Sequence, residues 1–309
     1  VQAGITSSAS GNGLTLKATG DITVSAGQAI RTAGGHVVFW SDSDSNSQGV
    51  IRVLNGSQIC TTSATCDTAT TGGGDIVMGG GAADSSNPLR PGGLSAGYLS
   101  TYNSTGTSTT TGVQLGTLDN NTNSGIKLYS SGGLISIKGS STNDSTANWK
   151  AGLAVLGGSE ISSGSGKIYI EATHRSTNTT YGTIELNGWG SGRTVTITST
   201  NTSSDAVRVI GYADGGTANH IGIWGSNSRT IFNVAGGLIF EADRVHKDIA
   251  FDFNVTGPLE FKPRTTTLGG AGASATFELQ SQLIFSSNPS SIIVGSSSNT
   301  SPITVNENL

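Results

Sequence analysis

The chain has 309 residues, of which 46 are glycine, 34% are hydrophobic and only 12% are charged, and its formal net charge is −4. Helices favour Ala, Leu, Glu, Lys and Arg and penalise Gly, so this composition argues against a helical protein, while regularly recurring Ile and Val argue against disorder and against a flexible linker. No basic block supplies the stripe that nucleic acid requires, and no apolar run approaches the roughly 20 residues that span a bilayer.

In chain order, Val1-Gln2-Ala3-Gly4 lacks the charged and apolar regions of a signal peptide, so the chain reads as a mature product or a piece of something longer. From there one segment type keeps returning: a glycine or other turn residue, then a short run with alternating apolar residues. It appears as Gly13-Leu14-Thr15-Leu16-Lys17-Ala18, Gly20-Asp21-Ile22-Thr23-Val24, Gly133-Leu134-Ile135-Ser136-Ile137-Lys138 and Gly166-Lys167-Ile168-Tyr169-Ile170-Glu171. Predicted strands start near Leu14, Ile22, Val37, Val50, Ile76, Ile126, Ile135, Leu153, Ile168, Ile184, Val195, Val207, Ile221, Ile231, Ile239 and Ile249. The spacing over the later ones is about 11–12 residues, a strand plus a turn.

One such strand cannot bury its apolar face alone, whereas a stack of them can. A globular sandwich gives similar spacing. Here the segments resemble one another, the strands are short, and most junctions lack the two-residue turn signals of antiparallel hairpins. The fold predicted is therefore all-β, a right-handed parallel β-helix (β-solenoid). With two or three strands per coil of roughly 20–30 residues, about 10–15 coils would make a rod roughly 50–70 Å long. Residues 1–257 are predicted as solenoid and residues 258–309 as degenerate or terminal coils, since Pro258 and Pro263 bracket a short strand and the spacing then loosens.

Two low-complexity stretches interrupt the pattern, residues 55–74 and 79–112; stretches this long are uncommon unless they cover the fold or bind something. The first holds the only cysteines, Cys60 and Cys66. So close a pair, without His or acidic neighbours to complete a metal site, reads as a small disulfide loop in an oxidising compartment, contributing about 2 kcal/mol. Two free thiols in a reduced protein is the competing reading.

The run Gly20-Asp21-Ile22-Thr23-Val24-Ser25-Ala26-Gly27, then Thr32-Ala33-Gly34-Gly35-His36-Val37-Val38-Phe39-Trp40-Ser41-Asp42-Ser43-Asp44 and Gly49-Val50-Ile51-Arg52-Val53, resembles the filamentous-haemagglutinin-like exoproteins of Gram-negative bacteria. The resemblance is close over residues 14–55 and extends in texture over residues 10–260. It implies a right-handed parallel β-helix, export through a partner outer-membrane pore, and a role in adhesion, biofilm or contact with other cells. The family's amino-terminal secretion domain and an Arg-Gly-Asp attachment motif are not seen in the sequence, so secretion route and receptor rest on kinship alone.

Candidate chemistry is sparse. The one charge-dense patch is Glu241, Asp243, Arg244, His246, Lys247 and Asp248. Its carboxylates suit acid/base work on a sugar and its arginine an acidic substrate; a polar turn between two strands is the competing reading. Asp42 and Asp44 alternate as calcium ligands do, but the glycine turn and distal Glu of an EF-hand are missing. His36, His174, His220 and His246 never fall at zinc-ligand spacing. Trp189 and Trp224 lie at strand ends beside Gly and Asn, placed either to stack on sugar rings or to cover the coil below.

These features together predict a non-enzymatic extracellular or cell-surface protein, the shaft or display segment of a bacterial adhesin or fibre, with no cofactor and no membrane span. Its expected partners are further copies of itself, end to end or side by side, and host or bacterial surface glycans. A carbohydrate-active β-helix enzyme and a self-assembling filament subunit are the alternatives.

Overall fold

The computed structural model describes residues 1–62, 66, 71–98, 100–101, 108–117, 125–142, 150–174, 183–187, 193–213, 220–223, 229–242, 244–247, 250–263, 278–280 and 283–295. Among them every regular element is a strand. The strands fall in turn on three sheets. Sheet I begins with Ile5–Ser10, sheet II with Leu14–Lys17 and sheet III with Ile22–Val24, after which the chain returns to sheet I with Ala29–Ala33. Each strand pairs in parallel with the strand one circuit earlier and one circuit later. The result is an all-β chain of parallel sheets, consistent with a β-solenoid, with three strands per coil.

Sheet I stacks nine strands and sheet III eight, while sheet II holds nine on its main path with two short accessory strands beside them. Nine rungs at the usual strand spacing span about 40 Å. Among the described residues that is fewer coils and a shorter stack than the sequence spacing suggests, because circuit length is not constant. Phe232 and Phe253 sit on successive rungs 21 residues apart, whereas Thr61 and Ser130 occupy equivalent positions 69 residues apart. The first strands on several circuits, such as Ala29–Ala33, Gln58–Cys60 and Glu160–Ser162, carry a single inward aliphatic residue each and give almost no periodic signal.

The core is a set of one-residue-wide columns. On sheet I, Ile5, Ile30, Ile59, Leu128, Ile161, Ile197, Phe232, Phe253 and Phe285 follow one another rung by rung. On sheet III, Val24, Val53, Leu115, Val155 and Leu186 do the same. Interior members of these columns are fully buried. Towards the later coils the columns turn aromatic: the Phe253 ring lies 5.8–6.2 Å from the rings of Phe232, Phe251, Phe261 and Phe285, edge-on to Phe261 and closer to parallel with the others.

The corner between sheets I and II explains the recurring glycine. Gly35, Gly74, Gly133 and Gly166 each stand two residues before a sheet II strand and stack directly on one another. A Cβ on Gly166 would lie 1.9 Å from the Gly133 carbonyl oxygen, and one on Gly133 would lie 2.2 Å from that of Gly74. Only a residue without a side chain lets successive backbones approach so closely. Beside this column the inward side chains are hydroxyls: Thr61, Ser130 and Ser163 donate to the carbonyls of Gly74, Gly133 and Gly166 at 2.8, 2.6 and 2.7 Å. Buried hydroxyls are tolerated here because each has an acceptor.

The described residues 84–98 and 108–112 lie between the sheet II strand Ile76–Ala83 and the sheet III strand Val113–Leu115. Pro91–Gly93 runs antiparallel to Ile76–Ala83, and Ser95–Ala96 lies beside Gly139–Ser140. The outward Val38 and Val77 of sheet II are only 4% and 6% exposed, and the Trp40 indole N–H donates to the Gly81 carbonyl at 2.7 Å. Part of the outer face of sheet II is therefore buried as well.

Removing the central ring tests the column packing. Phe253→Ala is expected to lower unfolding stability by about 3–5 kcal/mol, the range for truncating a buried phenylalanine, measured by denaturant titration. A loss below about 1 kcal/mol would contradict the aromatic stack.

Candidate functional site

On the outside of sheet I, side chains alternate with the core column. The strands Lys127–Tyr129, Glu160–Ser162 and Thr194–Ser199 are neighbours, so Lys127, Glu160 and Thr196 form one outward column and Tyr129, Ser162 and Thr198 the next. Between and beside them lies a groove of about 300 Å³, lined by Tyr129, Glu160, Ser162, Thr196, Thr198 and Thr200, with Ile161 and Gly164 completing its wall.

Tyr129 occupies the rung after Cys60 and is 4% exposed. Its hydroxyl donates to Oε2 of Glu160. Burial pushes the phenol well above its ordinary value near 10, and the Glu160 hydrogen bond and charge push the same way. The group therefore remains a neutral donor throughout the physiological range, and it fixes the carboxylate. Lys127 Nζ lies 3.6 Å from the same Oε2 and 5.8 Å from the Tyr129 ring centre. Lys127 and Glu160 are both over 40% exposed, so the pair contributes at most about 1 kcal/mol; its main effect is to neutralise the local charge.

The outer face of sheet II has a different character. Tyr169 donates to Glu171 at 3.0 Å, Arg208 pairs with Glu241 at 2.7 Å, and Lys262 approaches Glu260 at 2.5 Å. Lys138 Nζ and the Arg208 guanidinium flank the Tyr169 ring at 5.7 and 5.9 Å. The outward columns read Lys138, Glu171, Ile210, Glu241, Lys262 and Ser136, Tyr169, Arg208, Ile239, Glu260, so ion pairs are interspersed with buried isoleucines.

The residues singled out from the sequence scatter over the fold. Glu241 ends the sheet II strand Leu238–Glu241 and engages Arg208. Arg244 and His246 belong to the sheet III strand Arg244–Lys247, paired with His220 and Gly222 on one side and with Glu278 and Gln280 on the other. Asp243, Trp189 and Trp224 lie outside the described residues. Asp42 is 4% exposed, and burial pushes its carboxyl up. Its Oδ1 accepts the Gln48 N–H at 3.4 Å, while Asn46 donates to Asp44 at 2.9 Å, so this loop closes on itself. Among the described residues no three His, Cys, Asp or Glu side chains group to hold a metal ion, and no helix is long and apolar enough to cross a membrane.

Cys60 and Cys66 are bonded, with Cα atoms 5.4 Å apart. The bridge ties the start of the long connection between sheets I and II back to sheet I, next to Tyr129. Thr61, the next residue, anchors the same connection from inside by bonding the Ser130 carbonyl at 2.8 Å. The groove was not anticipated from sequence. Its residues come from three circuits, and its only sequence signal is the alternation Thr194, Thr196, Thr198 within one strand.

No family model, curated protein or solved structure matches this chain.

Proposed function

We propose that the chain is a non-enzymatic, extracellular segment of a bacterial surface or secreted fibre protein, in which a right-handed parallel β-helix serves as shaft and display surface. The observation that carries the reading is the uninterrupted set of inward columns. They spend the hydrophobic residues on a stack of rungs and leave long outer faces of Thr, Ser, Asn and paired charges. The right-handed sense follows from the strong preference of parallel crossovers for that hand. The extracellular setting is supported by the disulfide, a bond that persists in oxidising compartments. The resemblance to filamentous-haemagglutinin-like exoproteins supports the adhesive role, and its closest stretch, residues 14–55, supplies strands of the first two circuits.

A labelled sample of the full chain is expected to bind saturably to a panel of bacterial and epithelial cell surfaces, with competition by unlabelled chain. Absence of saturable binding to every surface would overturn the adhesive reading.

Self-assembly is a second reading, favoured by the last described rung. Three of the four large hydrophobic residues exposed among the described residues, Ile284, Ile292 and Ile293, lie on Leu283–Phe285 and Ser291–Val294, at 37%, 40% and 42% exposure, and the fourth, Leu89, lies elsewhere. At the opposite end, Leu14 and Leu16 are only partly buried. A head-to-tail copy would continue the sheet II columns from Ile292 to Leu14 and from Val294 to Leu16, covering strand edges that otherwise invite pairing. Light scattering across a concentration series is expected to show oligomers that grow with concentration. A strictly monomeric chain at high concentration would remove this reading.

A further inference from the structure

We infer that the groove on the outer face of sheet I is a binding site for a neutral, polyhydroxylated ligand, that is, a short stretch of uncharged glycan. The inference rests on the adhesive reading and names the surface through which contact is made. Three observations lead to it.

First, the groove offers hydroxyl groups that the protein itself does not use. The side chains of Ser162, Thr196, Thr198 and Thr200 make no hydrogen bond to other described residues, whereas outward polar groups elsewhere on the same face pair across rungs. Asn254 donates to Asn233 at 3.2 Å, and Arg229 pairs with Asp252. Ser162 and Thr198 stand on adjacent rungs, and Thr196 and Thr198 two residues apart on one strand. They therefore define a grid of about 4.8 by 7 Å, the scale of one sugar ring. The threonine methyls supply apolar contact between the hydroxyls, as the C–H face of a sugar requires.

Second, the electrostatics select a neutral ligand. Tyr129 and Lys127 both address Oε2 of Glu160. The carboxylate is held in place and its charge is offset, which leaves Oε1 as an acceptor for a ligand hydroxyl. An anionic ligand would meet Glu160, and a cationic one would compete with Lys127 already in place.

Third, the backbone excludes a peptide bound as an added strand. The strand Glu160–Ser162 is paired in parallel on both sides, with Lys127–Tyr129 and with Thr194–Ser199, so no free edge faces the groove. Recognition has to come from side chains. The volume of about 300 Å³ is at the lower end for small-ligand sites, which suits one or two sugar units of a longer chain lying along the rungs.

The test is isothermal titration of the full chain with a panel of neutral tetrasaccharides: maltotetraose, cellotetraose, chitotetraose in its N-acetylated form, and mannotetraose. The wild-type chain is expected to bind at least one of them. The double variant Thr196→Val and Thr198→Val, close in shape and compatible with a strand, should weaken that binding at least tenfold. Glu160→Gln, which keeps the acceptor oxygen while removing the charge, should weaken it less. Circular dichroism melting establishes that both variants are folded. If the double valine variant does not fold, Ser162→Ala with Thr200→Val at the groove margin takes its place, with the same tenfold expectation. Binding that persists unchanged in the folded threonine or margin variant overturns the groove as the site. A wild-type chain that binds none of the four overturns it as well. The cell-surface binding described above, measured on the same sample, decides the adhesive reading separately, because adhesion retained without tetrasaccharide binding removes only the groove.

Discussion

Successive coils of this protein lie one strand spacing apart, about 4.8 Å, and every other feature follows from what that distance allows. At the corner between sheets I and II the backbones of neighbouring coils touch, and a side chain on Gly166 would overlap the Gly133 carbonyl. The glycine column therefore fixes where four successive coils turn. That in turn fixes which residue of the following strand faces inward, since a one-residue slip would carry the whole apolar set to the outside. Thr61, Ser130 and Ser163 reinforce the same corner by bonding the glycine carbonyls, so the backbone groups at the tightest point are not left unpaired.

Once the corner and the columns are set, the outer faces are free to differ. Sheet II carries ion pairs interspersed with Ile210 and Ile239, and sheet I carries a hydroxyl grid with one fixed carboxylate. The connections are equally free, because a coil closes on the coil before it and not on its own length. The same architecture accommodates a step of 21 residues and one of 69. The strands Pro91–Gly93 and Ser95–Ala96 use that freedom to join sheet II itself, hydrogen-bonded to Ile76–Ala83 and to Gly139–Ser140, while Trp40, Val38 and Val77 on its outer face are buried.

The sequence reveals the sheet II strands most clearly. Several follow the corner glycine and run six or seven residues with apolar residues recurring at alternate positions, as in Ile135–Ser140 and Ile168–His174. Sheet I is harder to read. Gln58–Cys60 and Glu160–Ser162 each contribute one aliphatic residue to the core, and a period cannot be seen in a single point. The described residues hold fewer rungs than the spacing suggests, because spacing taken from strand-rich stretches missed the long connections. The Cys60–Cys66 bridge was legible because both partners lie in one short segment. The groove was not, because Tyr129, Glu160 and Thr198 are brought together only by stacking of separate circuits. The tryptophans drew attention for their chemistry, yet only Trp40 is among the described residues, and there it donates to the Gly81 carbonyl and packs against Lys17, whose Nζ is 3.8 Å from the ring centre.

The central claim is that each coil stacks in parallel on the next in the register given by the columns, and cross-linking of paired cysteines tests it most directly. Asn233 and Asn254 face each other on adjacent rungs, with Nδ2 of one 3.2 Å from Oδ1 of the other, whereas Thr198 and Asn254 are two rungs apart. Adjacent rungs fall inside the Cα separation a disulfide accepts, and two rungs, about 9.6 Å, fall outside it. Oxidised Asn233→Cys with Asn254→Cys should give an intramolecular cross-linked peptide by mass spectrometry, and Thr198→Cys with Asn254→Cys should keep two alkylatable thiols. The reverse pattern, or free thiols in both variants, would contradict the stacked parallel register.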